Sequence, residues 1–140
     1  MAGYSATPLL KKLGIKAGFD MAFVNAPEDF VTQLDLPSDV NIRRQPKNKD
    51  LDFMLVFVKS QKTLRTAFKQ CSRKIKPNGM LWMSWPKKTS GLQTDLTENI
   101  VRDIGLAAGL VDVKVCAIDD VWSGLKFVYR LKDRAALKSL

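Results

Sequence analysis

The side chains with the chemistry to hold a ligand stand in three short blocks of this sequence. The blocks are Tyr4-Ser5, Ser84-Trp85-Pro86-Lys87-Lys88 and Asp119-Asp120 with Trp122-Ser123. Ammonium groups beside aromatic rings suit an anion that carries a flat portion, and carboxylates suit hydroxyl groups or a metal ion. The chain has no histidine and only two separated cysteines. This excludes a Ser-His-Asp triad and gives no pattern typical of zinc, so we predict no catalytic residue and no metal site.

Each block also has an ordinary structural interpretation. Lys87 and Lys88 can be solvated loop charges, and Asp119-Asp120 can form a turn. Trp82 and Trp85 point to opposite faces of one strand by the two-residue period, so one is predicted in the core and Trp85 at the edge of a groove. Trp122 can simply cover the core below a hairpin. Both sets of interpretations stay open at the level of sequence.

The segment that positions these blocks spans residues 51–119 and reads as strand, helix, strand, helix, strand. Its apolar runs at 51–58 and 80–85 are typical of parallel strands covered on both faces. Ser60 is a predicted N-cap of the first helix, and Asp95 followed by Glu98 of the second. The alternating run 111–118 indicates a strand nearer the edge. Repeated units of this kind require right-handed crossovers and a parallel sheet.

The flanking segments complete a single α/β domain over residues 1–140. Residues 19–25 and 40–43 read as two more strands, and 124–131 as a last strand that a short turn makes antiparallel. We predict a Rossmann-like six-stranded sheet in the order 2-1-3-4-6-5, with helices on both faces. Ligands of such sheets bind beyond the carboxyl ends of the strands. Twelve residues are predicted at that edge: Tyr4, Ser5, Asn25, Lys59, Ser84, Trp85, Lys87, Lys88, Asp119, Asp120, Trp122 and Ser123.

The charge balance favours an acidic partner. The formal net charge is +9, and one helix face carries Lys62, Arg65, Lys69 and Arg73 with no carboxylate between residues 60 and 76. This basic stripe is either a solvated face or a nucleic-acid surface, although no aromatic residues are interleaved to stack bases. No apolar run is long enough to span a membrane, and the thiols fit a reducing compartment, so we predict a cytoplasmic protein.

The order of elements resembles a shortened S-adenosylmethionine-dependent methyltransferase. Lys76-Pro77-Asn78-Gly79 resembles the turn into the fifth strand of that family, and the final hairpin resembles its last two strands; the third strand and its helix are missing. The family's glycine-rich cofactor turn is replaced by Asn25-Ala26-Pro27. Arg43-Arg44 stands where a carboxylate would meet the ribose. From these departures we expect weak or no binding of S-adenosylmethionine, and no other cofactor.

Three blocks resemble a bacterial family of unknown function. These are Gly3 to Ile15, Leu81 to Lys88 and Trp122 to Lys126. That resemblance implies no activity. The sequence therefore favours a non-catalytic domain that binds an anionic small molecule or protein at the strand-end edge. A methyltransferase with an atypical cofactor loop and a nucleic-acid-binding protein are the alternatives.

Overall fold

The computed structural model of the protein describes residues 8–138 as one six-stranded sheet with helices on both faces. The strands are β1 (Asp20–Val24), β2 (Asn41–Ile42), β3 (Leu51–Phe57), β4 (Ile75–Pro86), β5 (Leu110–Ala117) and β6 (Trp122–Tyr129). The helices are α1 (Leu9–Leu13), α2 (Phe30–Gln33), α3 (Gln61–Cys71), α4 (Glu98–Ala107) and α5 (Leu131–Lys138).

The strand order is β2-β1-β3-β4-β6-β5. Strands β2, β1, β3 and β4 pair in parallel, whereas β6 is antiparallel to both β4 and β5. The sequence prediction of fold class, order and direction is confirmed. It follows that the carboxyl ends of β1, β3 and β4 and the start of β6 share one edge.

The core consists of two layers, one on each face of the sheet. Helices α3 and α4 cover the first layer, to which α3 contributes Leu64, Ala67, Phe68 and Cys71. Helices α1 and α2 cover the second layer, where the indole N–H of Trp82 donates a hydrogen bond to the carbonyl oxygen of Leu13 at 3.1 Å. Both faces of the central strands are therefore dry. Between residues 8 and 138, no helix has the length and apolar character needed to cross a bilayer.

The segment Pro77-Asn78-Gly79 differs from its prediction as a turn before a strand. It lies inside β4, where pairing with β3 jumps from Leu51–Ile75 to Phe53–Met80. A β-carbon on Gly79 would lie 2.7 Å from the carbonyl oxygen of Leu51. The close approach of the two backbones at this bulge requires glycine, so the motif has a packing function here.

Asp95 is also placed differently from its prediction as the N-cap of α4. Thr97 caps α4 by accepting a hydrogen bond from the backbone N–H of Ile100. The carboxylate of Asp95 instead accepts from the backbone N–H of Gln61 at 2.9 Å, at the start of α3. One loop therefore stabilises the beginnings of two helices.

Candidate functional site

An open crevice of about 420 Å³ lies at the carboxyl ends of β1 and β3. It is lined by Asn25, Pro27, Phe57, Val58, Lys59, Thr63 and Trp122. The volume falls within the roughly 300–1,000 Å³ typical of small-molecule sites. The crevice is also where the open-sheet rule locates a ligand.

The turn after β1 forms one side of the crevice mouth. Asn25 has a φ of 57° in the left-handed region, which non-glycine residues seldom adopt and asparagine tolerates best. Asp29, four residues later, has a φ of 65°. The chain thus bends sharply after β1 without glycine, because Asn25 adopts the conformation that glycine usually supplies.

A row of aromatic rings forms the wall on the α2 side. The ring of Phe57 lies 5.0 Å from that of Trp122 in an edge-to-face arrangement, and 5.1 Å from that of Phe30. Trp122 is only 7% exposed, so it both closes the core and presents a small surface to the crevice. Such contacts hold the rings in fixed orientations, and Phe57, only 2% exposed, adds a small apolar surface to the same wall.

Hydrogen bonds to the loop after β4 hold the end of β3 in place. The hydroxyl of Thr94 donates to the carbonyl oxygen of Lys59 at 2.6 Å, and Ser60 caps α3 by accepting from the N–H of Thr63. The side chain of Lys59 is exposed and has no hydrogen-bond or ion-pair partner within residues 8–138. Its ammonium group is therefore available to a ligand at the crevice.

Two of the predicted site residues on β4 are buried. Trp85 is 4% exposed and packs in the layer beneath α3 and α4, so its prediction as a groove residue was wrong. The two-residue period correctly separated it from Trp82, but helices cover both faces of this strand. Ser84 is fully buried, and its hydroxyl has no hydrogen-bond partner among the residues that the structure describes.

The other predicted residues of this edge that the structure describes lie outside the crevice lining. The backbone N–H of Lys87 donates to the carbonyl oxygen of Val121 at 2.8 Å, and Lys88 begins an exposed 3₁₀ turn. Ser123 pairs with Trp85 and lies on the opposite sheet face from Trp122. Tyr4 and Ser5 lie outside the described residues. The structure therefore brings together Asn25, Lys59 and Trp122, and ligand contacts by the others stay a prediction.

The two aspartates between β5 and β6 have different environments. One carboxylate oxygen of Asp119 accepts from the backbone N–H groups of Val121 (2.9 Å) and Trp122 (2.8 Å). Asp119 thus has the turn-forming function that was one of its two interpretations. Asp120 is exposed.

Arg43 does not lie at the ligand edge where the sequence placed it. Its guanidinium forms ion pairs with Asp20 (3.4 Å) and Asp50 (3.2 Å) near the amino ends of β1 and β3. The cause is the shortness of β2, which ends level with Met21 near the start of β1. The crevice is therefore free of the fixed cation that the sequence suggested.

Neither cysteine is a candidate nucleophile. Cys71 is buried and Cys116 half-buried, and both thiols are free. Burial raises the pKa of each thiol, an effect that nearby lysines only partly oppose. Both thiols therefore stay protonated at neutral pH.

Three residues that line the crevice were not expected there from the sequence: Phe57, Val58 and Thr63. Pro27 belongs to the Asn25-Ala26-Pro27 turn that the sequence placed after the first strand. Phe57 and Val58 ended a predicted strand, and the residues that end a parallel strand are a usable signal for the lining. The basic stripe has three residues on α3 and Arg73 in the 3₁₀ turn that follows, and all four are exposed. Its interpretation as a nucleic-acid surface remains a prediction.

Comparison with known proteins gives a fold but no family. No family model and no curated protein matches the sequence, so the three sequence blocks stay unassigned. Among solved structures, an S-adenosylmethionine-dependent methyltransferase from Aquifex aeolicus matches with a TM-score of 0.59 and 16% identity over 85% of this chain and 86% of that one. The chain has a methyltransferase fold.

Two further structures support the same fold assignment. A TehB-like S-adenosylmethionine-dependent methyltransferase from Corynebacterium glutamicum matches with a TM-score of 0.58 and 6% identity, over 92% of this chain and 91% of that one. A Burkholderia thailandensis 1,6-didemethyltoxoflavin-N1-methyltransferase with bound S-adenosylhomocysteine matches with a TM-score of 0.55 and 12% identity, over 85% and 73%.

The sequence-based expectation of weak or no S-adenosylmethionine binding was wrong. It is overturned by these matches, because the structures that share the fold are described as dependent on that cofactor and one holds its demethylated product. The structure also weakens both premises of that expectation. Asn25 makes the turn without glycine, and Arg43 faces away from the crevice.

Proposed function

We propose that this protein is an S-adenosylmethionine-dependent methyltransferase in which Asn25 replaces the glycine of the cofactor turn. The observation that carries the proposal is the left-handed backbone of Asn25 (φ 57°) at the mouth of a strand-end crevice. The likeness in fold to methyltransferases supports it. A domain that binds the cofactor without transferring a methyl group would have the same fold, so methyl transfer must be measured directly.

The residues of the crevice fit the cofactor. Asn25 and Pro27 place the turn after β1 against the crevice, and Glu28 and Asp29 in the same turn are exposed carboxylates suited to ribose hydroxyls. Phe57 lines the crevice and supplies an apolar contact for a flat ring. When bound, the cofactor would supply an electrophilic methyl group for transfer to a nucleophilic atom of the substrate.

The charges at the same edge favour an anionic substrate. Lys59 lines the crevice, and Lys87 and Lys88 follow the end of β4. Ammonium groups at this edge attract an anion and orient it without forming a covalent intermediate. We therefore propose that the anionic ligand predicted from the sequence is the substrate.

Titration calorimetry with S-adenosylhomocysteine tests cofactor binding. We expect Asn25→Gly to keep the affinity, whereas Asn25→Val should weaken it about tenfold, since a β-branched residue resists the left-handed conformation by about 1–2 kcal/mol. Asp39→Val is the matched control, because Asp39 is exposed and has the same left-handed backbone (φ 65°) away from the crevice. It should lose stability and keep the affinity.

Absence of heat with the wild-type protein at millimolar S-adenosylhomocysteine would refute the proposal. If the ligand binds, transfer of a labelled methyl group from S-adenosylmethionine to any fraction of a cell extract separates an enzyme from a binding domain. Binding with no methyl transfer would identify the crevice as a cofactor-binding site and refute the catalytic function.

A further inference from the structure

Two lysines face each other across the outer strand pair of the sheet. Lys114 on β5 pairs directly with Lys126 on β6. Directly opposed residues of an antiparallel pair project to the same face, and like charges in these positions are destabilising. This arrangement therefore carries an electrostatic cost in the isolated protein.

Both lysines extend toward the C-terminal end of α1. The ammonium group of Lys114 donates to the carbonyl oxygen of Lys12 at 2.7 Å. That of Lys126 lies 4.0 Å from the position of a β-carbon on Gly14, the residue that ends α1. Burial and then the charges of Lys114 and Lys16 lower the pKa of Lys126. Lys12 and Lys114 both lie near Cys116, where their charges oppose the rise in the pKa of that thiol. We call these four residues the lysine patch: Lys12, Lys16, Lys114 and Lys126.

Capping of α1 explains only part of the lysine patch. The carbonyl oxygens of Leu10 and Lys11 accept from the N–H of Gly14, that of Lys12 accepts from Lys114, and that of Leu13 accepts from Trp82. The end of the helix is therefore satisfied without Lys126. The ammonium group of Lys126 is half-buried and has no hydrogen-bond or ion-pair partner among residues 8–138.

No carboxylate side chain neutralises the lysine patch. Its four members are absent from every ion pair of the described part of the chain, and residues 1–7 contain no aspartate or glutamate. A compact anion with several acceptor oxygens would offset the repulsion and occupy the free donors. Phosphate meets this description, because it accepts charge-assisted hydrogen bonds from several directions.

We infer that the lysine patch binds a phosphate group, at a site separate from the strand-end crevice. Lys126 lies four residues along β6 from Trp122, or about 13 Å at ~3.3 Å per residue. The inference does not depend on methyl transfer. The phosphate group belongs either to a small phosphorylated molecule or to the backbone of a nucleic acid, and the two sources respond differently in solution.

Thermal unfolding in inorganic phosphate, against chloride of equal ionic strength, tests the site. We expect phosphate to raise the melting temperature of the wild-type protein and to have little effect on Lys126→Met, with phosphate affinity reduced about tenfold or more. Lys132→Met, which removes an equal charge from an exposed position of α5, should respond like the wild type. Equal phosphate-induced shifts in the wild type and Lys126→Met would overturn the inference.

A second variant and a direct signal guard against a folding defect in Lys126→Met. Lys114→Met should lose the phosphate response too. In the wild-type protein, phosphate should move the Lys126 side-chain NMR resonance and raise the pKa of that lysine; an unmoved resonance would count against the site. Fluorescence anisotropy with a single-stranded oligonucleotide then separates the sources. Weaker oligonucleotide binding by both variants, but not by Lys132→Met, identifies a nucleic-acid backbone, whereas a change in phosphate binding alone identifies a small ligand.

Discussion

The ring of Phe127 on β6 occupies the space that a β-carbon on Gly105 of α4 would need. An ideal β-carbon at Gly105 would lie 2.6 Å from Cζ and 2.8 Å from Cδ2 of that ring. The ring is itself held edge-to-face against Phe68 of α3, at 4.9 Å. The absence of a side chain at Gly105 thus sets how closely α4 approaches the sheet.

Gly105→Ala should therefore destabilise the protein, although alanine is the better helix former by about 1 kcal/mol. Overpacking of this kind costs about 1–3 kcal/mol, measurable as a loss in the free energy of unfolding in urea. Phe127→Leu should make room for the added methyl group. In a double-mutant cycle the two changes together should cost less than their sum, and simple additivity would contradict the packing argument.

Ser84→Ala should leave the protein as stable as before, or about 1 kcal/mol more stable. The hydroxyl of Ser84 is buried with no partner within residues 8–138, so its removal ends a desolvation penalty. Ser123→Ala, at a half-buried position of the neighbouring strand, should change stability by less than about 0.5 kcal/mol. A clear loss of stability in Ser84→Ala would contradict this account of an unpaired hydroxyl.

Asp119→Ala should lower the free energy of unfolding by about 1–2 kcal/mol, because two backbone N–H groups lose their acceptor. Asp120→Ala is the matched control at the adjacent, exposed position and should be neutral. Equal losses in the two variants would show that charge, and not the turn, decides the stability of this connection.

Lys126→Met should stabilise the protein, by an amount that depends on pH. Burial, Lys114 and Lys16 lower the pKa of Lys126 in the folded state, while the unfolded chain has the ordinary value near 10.4. At pH values below the pKa of Lys126 in the folded state, the charged ammonium group lowers the stability of the wild type by its full amount. This destabilisation disappears as the pH rises toward the pKa of the lysine in the unfolded chain. The difference in melting temperature between variant and wild type should be largest near pH 7 and shrink toward pH 10. A difference that is constant over this range would exclude the electrostatic cause.

The sequence determined the strand order because apolar runs identify the buried central strands and a short turn dictates an antiparallel hairpin. The prediction of a crevice at the carboxyl ends of the strands rests on the same strand order. The sequence-based predictions failed where contacts with residues far away in the chain determine the position of a side chain. Asp95 stabilises α3 across 34 residues, and Trp85 is covered by helices that no local period reveals. The prediction at Asn25 failed for another reason. A sharp turn of this kind usually needs glycine but also accepts asparagine, and only the backbone φ of 57° shows that Asn25 has the left-handed conformation.

The hydrogen bond from Trp82 to Leu13 also orders events during synthesis. Its two residues are 69 positions apart, so α1 leaves the ribosome long before the strand that holds it. Chains are made at about 5–20 residues per second, which leaves the apolar face of α1 without its partner for several seconds. In that interval the N-terminal helix is open to chaperones, and the second core layer can close only after β4 has emerged.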